Sequence, residues 1–377
     1  MSAAELEEAA RAFACEAVAP AAAGWSLGGA LDPSLLERAG ALGLMAVEVP
    51  AEAGGRGLGF GAKARVAERL AAADFGFAMS VINTQNVALR LVKSAPRAVW
   101  EPLMPDLLAG RASACTALTE PDAGSDFAAI STTAQREGNG WRLDGEKTWI
   151  VNARHAAIAI VYAQCGAVGG DRNGIGAFVV PLDAPGCSRY PLAAPFSQIS
   201  MGTGGFRLEG VRLPAEHMIF GPGEAFGAIL DEINGARAYV AAMACGMLAS
   251  AIAEAGAYGE RRRSFGQPLS GHQAWRLTLA RAGVDLAAVR ALTAEAVAAV
   301  ETGAQAQLLA AQAKIAAVEA CRQRLPELLH LMGAEGLQPA RPFSRHLAAA
   351  EIAALTDGST EMLLERAHRL MRRAPTH

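Results

Sequence analysis

Between residues 113 and 222 the chain changes its periodicity, and that change limits what it can fold into. Short apolar runs here, Trp141 to Leu143, Ala157 to Ala163 and Ala177 to Pro181, are bounded by Gly, Asn, Asp and Pro. That is the pattern of strands joined by turns. Gly138-Asn139-Gly140 and Asp144-Gly145 read as hairpin turns. Residues 1–112 are instead Ala-, Leu- and Glu-rich, with helical spacing in Leu35, Leu36, Ala39 and Leu42. Asp32-Pro33 supplies a cap and a first turn. Gly54, Gly55, Gly57 and Gly59 mark a loop; no strand precedes them, as a dinucleotide fingerprint would require. After residue 223, the segments 228–260, 271–302, 304–332 and 342–373 are each long enough for a bundle helix. The expectation is an α+β multidomain chain: an N-terminal helical domain (1–112), a middle antiparallel β domain (113–222) and a C-terminal four-helix-bundle-like domain (223–377).

With 377 residues, 52% hydrophobic and 19% charged, the chain can build a large core and is not disordered. Its net charge of −3 gives no basic surface for nucleic acid. The cysteines (Cys15, Cys115, Cys165, Cys187, Cys245, Cys321) are too far apart for zinc-ligand spacing, so no metal site is expected. They read as thiols in a reducing, cytoplasmic setting. Glu5, Glu7 and Glu8 argue against a signal or transit peptide. The apolar run Ala238 to Ala253 is shorter than the roughly 20 residues of a spanning helix and reads as a core helix, without membrane insertion.

Five blocks carry chemistry: CTALTEPDAGSD (Cys115 to Asp126), DGEKTWIVN (Asp144 to Asn152), ERRRSFGQPL (Glu260 to Leu269) with His272-Gln273, LMGAEG (Leu331 to Gly336) and TDGSTE (Thr356 to Glu361). In this order they resemble the acyl-CoA dehydrogenase family of flavoenzymes, over essentially the whole chain. The resemblance implies FAD, held between the sheet domain and the C-terminal bundle, with part of the site supplied by a second subunit of a homo-oligomer, a dimer or tetramer. It implies removal of hydrogens from the α and β carbons of an acyl thioester, with electrons passing to an electron-transfer flavoprotein or similar acceptor. Such chemistry needs a base for the α proton, donors polarising the thioester carbonyl, and exclusion of water.

By resemblance, Thr116, Ala117, Leu118 and Thr119 run backbone along the flavin. Ser125, after Gly124, contacts cofactor phosphate or substrate. Trp149 packs on the flavin, flanked by Ile150 and Val151; Val151 departs from the hydroxyl residue common there. Arg262 matches an arginine that reaches the pyrophosphate of a neighbouring subunit, for which a guanidinium fork is suited; a solvated helix end is the other reading of three successive arginines. Phe265, His272 and Gln273 are its companions near the adenosine. His330 replaces a glutamine, Ala334 replaces a glycine, and Gly333 and Gly336 remain to admit the cofactor. Ser359 and Glu361 complete the cofactor set.

Asn234 and Arg237 are placed near the thioester, one helical turn apart, unless Arg237 pairs with Asp231 or Glu232. Asp357 stands where the family usually has its catalytic glutamate, followed by Gly358 at the substrate. It is one methylene shorter, on the order of 1.5 Å of reach. The other family position for the base falls on Ala236. The competing role for Asp357 is a helix N-cap. Ala348 and Ala349 replace an Arg-Asp pair frequent before this turn. The expected function is FAD-dependent α,β-dehydrogenation of an acyl-CoA thioester in fatty acid metabolism. The alternatives are an acyl-carrier-protein-linked dehydrogenase of secondary metabolism and a flavin-binding relative without dehydrogenase activity.

Overall fold

The computed structural model describes residues 1–166, 172–192, 199–304 and 306–372. Helices come first: α1 (Ala3–Phe13), α2 (Ala19–Trp25), α3 (Ser34–Ala41), α4 (Phe60–Ala71), α5 (Phe75–Ser94), α6 (Arg97–Trp100) and α7 (Met104–Leu108). Strands follow: β1 (Ala114–Ala117), β2 (Thr133–Glu137), β3 (Gly140–Ile150), β4 (Ile158–Gln164), β5 (Ile175–Pro181), β6 (Cys187–Pro191), β7 (Gly204–Pro214) and β8 (Met218–Phe220). The chain then forms α8 (Ala225–Arg261), a small hairpin of β9 (Arg263–Ser264) and β10 (Gln267–Pro268), α9 (Gln273–Thr302), α10 (Ala306–Met332), α11 (Phe343–Leu355) and α12 (Thr360–Met371). These elements build two compact units, one of residues 1–30, 60–78 and 233–377, the other of 31–59 and 79–232.

In the second unit the sheet order is β6-β7-β3-β2-β4-β5-β8, with β1 also on β4. The sheet is mixed, which corrects the antiparallel expectation: β1 and β2 both pair with β4 in parallel. The β2–β3 hairpin separates β1 from β4 in the chain, and an intervening connection of this kind is what parallel pairing requires. Gly138-Asn139 does form the two-residue turn of that hairpin, between Glu137 and Gly140. Asp144-Gly145 is no turn. It lies inside β3 at a bulge, where the register against β7 passes from Leu143–Val211 to Gly145–Leu208. A Cβ on Gly145 would come within 2.7 Å of the Thr132 backbone, so this glycine permits close approach of two chain segments.

Strands β4 and β5 are buried almost throughout, as strands covered on both faces must be. Trp141 meets Phe178 edge-on at 5.2 Å in this core. On β7, buried Phe206, Leu208, Val211 and Leu213 alternate with more exposed neighbours, the period of a strand with one core face.

The first unit is helical. By length and composition α8 is apolar enough to cross a membrane, but its residues 238–248 are all buried within the protein. Gly246 explains how it packs: a Cβ there would lie 2.1 Å from the Glu68 carbonyl oxygen of α4. Of the four C-terminal segments read as full helices, three are continuous; the fourth is split into α11 and α12 by a turn at 356–359. The six cysteines are free thiols.

Candidate active site

The turn between α11 and α12 leaves helical geometry at Thr356 (φ −67°, ψ 139°). Asp357 then takes φ +56° and Gly358 φ +105°. A left-handed residue is unusual outside glycine, and Asp and Asn tolerate it best. The N-cap of α12 is Ser359, whose Oγ accepts the Met362 N–H at 3.3 Å. The N-cap role is therefore filled by Ser359, and the Asp357 carboxylate is not needed for it.

Two buried cations hold the backbone of this turn. Arg237 on α8 donates from Nε to the Asp357 carbonyl oxygen at 3.0 Å, and from Nη1 to Asn234 Oδ1 at 2.9 Å. Neither Asp231 nor Glu232 holds it; Glu232 pairs with Arg90 at 3.2 Å. Lys314 on α10 donates from Nζ to the carbonyls of Thr356 and Gly358. Three successive carbonyls, 356 to 358, thus accept hydrogen bonds from charged donors. Burial lowers the Arg237 pKa to about 10, and Arg366 pushes it the same way, while Asp357 opposes the fall. Burial also brings Lys314 down to about 8, with Asp357 resisting and Arg237 adding to the drop. Each cation therefore feels the Asp357 charge.

The strand unit presents a second constellation. Trp149 sits at φ +57° and Asn152 at φ +67°, the first within and the second just past an irregularity in the β3–β7 pairing between Lys147 and Ile150. Strain of this kind in non-glycine residues concentrates at functional sites. It turns the Trp149 indole outward, 57% exposed, while Ile150 stays in the core at 3%; Val151 is half-buried. Asn152 anchors the strained stretch, its Nδ2 lying 3.0–3.1 Å from Ser80 O, Thr84 Oγ1 and Ala114 O.

Beneath it, Lys147 Nζ meets Glu120 Oε1 at 2.8 Å and Leu118 O at 3.0 Å. Glu120 also accepts from Ser131 N and Oγ and from Thr132 N at 2.6–3.0 Å. Burial alone would raise the Glu120 carboxyl. The Lys147 charge and these hydrogen bonds outweigh it and bring the group to about 2. Burial lowers Lys147 to about 8 against the pull of Glu120. The pair ties the start of the TEP block to β3. It also occupies the Leu118 carbonyl, as Thr148 N–H occupies that of Thr119 at 3.1 Å. Two of the carbonyls expected to face the flavin are thus engaged within the chain. Thr116, Leu118 and Thr119 are half-buried, Ala117 is core, and Ser125 and Gly124 are exposed.

The remaining cofactor candidates lie on the helical unit. Arg262 follows the end of α8, exposed and with no ion-pair partner among the described residues. Phe265 and Gly266, at φ +49° and +81°, form the tip of the β9–β10 hairpin, and Phe265 is 94% exposed. His272 packs edge-on to the Phe265 ring at 6.3 Å and lies 3.2 Å from Ser264 O. Gln273 opens α9. Near the end of α10, His330 is exposed, as are Gly333 and Ala334 just beyond it. Gly333 has φ +58° and open space where a Cβ would stand. Gly336 differs: a Cβ there would crowd Met332 Cβ at 2.9 Å, so its smallness serves packing of the chain on itself rather than admission of a ligand. Glu361 is exposed in the first turn of α12, where a hydrogen bond from its own backbone N–H and then the Ser359 hydroxyl lower its carboxyl pKa.

The roles of Lys314, Asn152 and the Glu120–Lys147 pair lie outside the sequence-based expectations. One signal was available for the lysines. The chain has four, and Lys63, Lys147 and Lys314 are all buried; Lys314 stands alone as a charge in the apolar helical run from Leu308 to Val318.

Three domain models of one family match the chain in order: acyl-CoA dehydrogenase, N-terminal domain (residues 2–111), middle domain (115–211) and C-terminal domain (223–371). The human short-chain specific acyl-CoA dehydrogenase of mitochondria is 32% identical over 87% of this chain and 79% of its own length. Butyryl-CoA dehydrogenase from Megasphaera elsdenii has a solved structure with TM-score 0.93 at 26% identity, covering 98% of both chains. Glutaryl-CoA dehydrogenase from Mycobacterium smegmatis, solved with FADH2, gives TM-score 0.92 at 26% identity, covering 99% of this chain and 95% of that one.

Proposed function

The chain belongs to the acyl-CoA dehydrogenase family of FAD-dependent oxidoreductases, and on that premise we propose that it desaturates a saturated acyl-CoA between its α and β carbons with Asp357 as the base. The observation that carries this reading is the left-handed Asp357, a carboxylate on a strained turn gripped by two buried cations. The residues present fit the cofactor. An outward indole at Trp149 suits a flat ring, open space at Gly333 suits close approach, and an exposed Arg262 suits a diphosphate. The residues that would hold it are those the resemblance implies: Thr116 to Thr119, Ser125, Trp149 to Val151, Arg262, Phe265, His272, Gln273, His330, Gly333, Ala334, Ser359 and Glu361. When bound, the flavin supplies the acceptor for the hydride leaving the β carbon.

The work of the chain's own residues is to take the α proton and to prepare the site for it. Asp357 Oδ receives the proton, so the carboxylate must be ionised beforehand. The positive charges of Arg237 and Lys314 favour that state. Val151 offers no hydroxyl toward the flavin, so any hydrogen bond at that position comes from backbone.

The names of the relatives make butyryl-CoA the first substrate to try. Anaerobic addition of a C4 to C16 acyl-CoA series is expected to bleach the flavin absorbance with at least one member. A holoprotein bleached by none of them would defeat the reading. For the cofactor assignment, Arg262→Ala is expected to lose FAD and to weaken subunit association, measured as flavin per chain and by light scattering. Full FAD content in that variant would remove Arg262 from the diphosphate site.

A further inference from the structure

We propose that Lys314 is a positioning residue for the base: by gripping the backbone on both sides of residue 357, its ammonium sets where the Asp357 carboxylate stands and keeps it ionised. This rests on the reading of Asp357 as the base and goes beyond it.

The last carbonyls of α11 lack intrahelical partners, and a lysine that merely capped the helix would serve those. Lys314 does more. It bonds Thr356 O, at the helix end, and also Gly358 O at 2.5 Å, which lies beyond the helix and beyond the base. Arg237 bonds the carbonyl between them. With three successive carbonyls fixed, the peptide planes on either side of Cα 357 are fixed, and so is the direction of its Cα–Cβ bond. The left-handed φ of +56° is held in this way against its own tendency to relax.

Burial supports the same conclusion. Lys314 is 1% exposed, and an ammonium is rarely kept out of water without a partner that repays its lost hydration. Among the described residues, the charged groups that face it are Asp357 on the turn and Arg237 on α8, with Arg366 of α12 acting on Arg237 in turn. Two cations and one carboxylate leave a net positive surrounding, which favours the ionised acid. The depressed pKa of Lys314, about 8, places loss of its charge within reach of an ordinary pH titration. The ammonium is present below about pH 8 and lost above it, so support for the carboxylate declines on the alkaline side.

The test uses the FAD-loaded protein and three variants, Lys314→Met, Lys314→Arg and Asp357→Asn. Two quantities are followed as a function of pH. One is the rate of anaerobic flavin reduction by the acyl-CoA that bleaches the unmodified protein fastest. The other is exchange of α protons into D2O from the matching thioester with sulfur at the β position, which has no β hydrogen to give up and so reports the base alone. Lys314→Met with FAD retained is expected to slow both by roughly 10²-fold, the scale of a misplaced reacting group, and to move the acid-side midpoint upward. Lys314→Arg, whose charge does not titrate below pH 12, is expected to restore much of the rate and to abolish the decline near pH 8.

Unchanged rates and midpoints in Lys314→Met overturn the inference. If Lys314→Met fails to fold, Lys314→Arg decides: a decline near pH 8 that persists in it overturns the inference, and its disappearance supports it. Asp357→Asn separates the two layers. If that variant is slow while Lys314→Met is normal, only the role of Lys314 falls; if Asp357→Asn is as fast as the unmodified protein, the base assignment falls and takes this inference with it.

Discussion

Asp357→Asn is expected to retain FAD and to bind acyl-CoA, yet to reduce its flavin about 10²-fold or more slowly, the usual scale of losing a general base. The variant is clean for a backbone reason. Residue 357 sits at φ +56°, and asparagine enters the left-handed region as readily as aspartate. The turn therefore keeps its shape while the proton acceptor is lost. Asp357→Glu asks a further question about reach, but glutamate lacks the short polar side chain that eases a left-handed backbone, so a fall in its activity mixes crowding with strain. Stopped-flow bleaching at saturating acyl-CoA measures both variants; undiminished bleaching in Asp357→Asn ends the assignment.

The largest stability effect is expected at the buried pair under β3. Lys147→Met leaves the Glu120 carboxylate in the core with, among the described residues, Ser131 and Thr132 for partners. Breaking a buried pair from one side typically destabilises by about 3–5 kcal/mol. The double variant Lys147→Met with Glu120→Gln is expected to recover much of that loss, because no unpaired charge remains. Urea unfolding of the parent, of Lys147→Met and Glu120→Gln singly, and of the double variant provides the cycle, and additive losses would show that the two groups do not act as a pair.

The pH dependence has a definite sign. The Glu120 carboxyl titrates at about 2 in the folded protein against an ordinary 4.5. Its contribution is fully present above pH 4.5 and is lost as pH falls through 2. Lys147→Met removes the largest lowering influence, so in that variant the loss moves to higher pH and acid unfolding sets in earlier.

The order helix, strand, helix was legible because alanine-rich periodicity and Gly- and Asn-bounded apolar runs are local signals. What local signals do not carry is pairing. Asp144-Gly145 has the residues of a turn, but a glycine inside a strand also permits a bulge, and only the close approach of Thr132 decides between them. The parallel placement of β1 on β4 depends on a partner more than forty positions away in the chain.

The turn at 356–359 was legible as a motif, while its supports were not, because Lys314 comes from a helix with no motif at all. Arg237 was visible, but the choice between an acidic neighbour on its own helix and a carbonyl 120 residues on is made by the fold. The N-cap alternative for Asp357 fell to Ser359, two positions later, for the same reason.

The break between α11 and α12 has a consequence for how such a protein changes over generations. Side chains from α8 and α10 hold the turn through its carbonyls, and carbonyls are common to every amino acid. The three contacts are thus indifferent to which side chain stands at 357, and what selects that residue is its left-handed backbone, which, outside glycine, aspartate and asparagine enter most readily. A lineage built this way can lose or regain a carboxylate here by a single codon change with the seat intact, whereas lengthening it to glutamate also strains the turn.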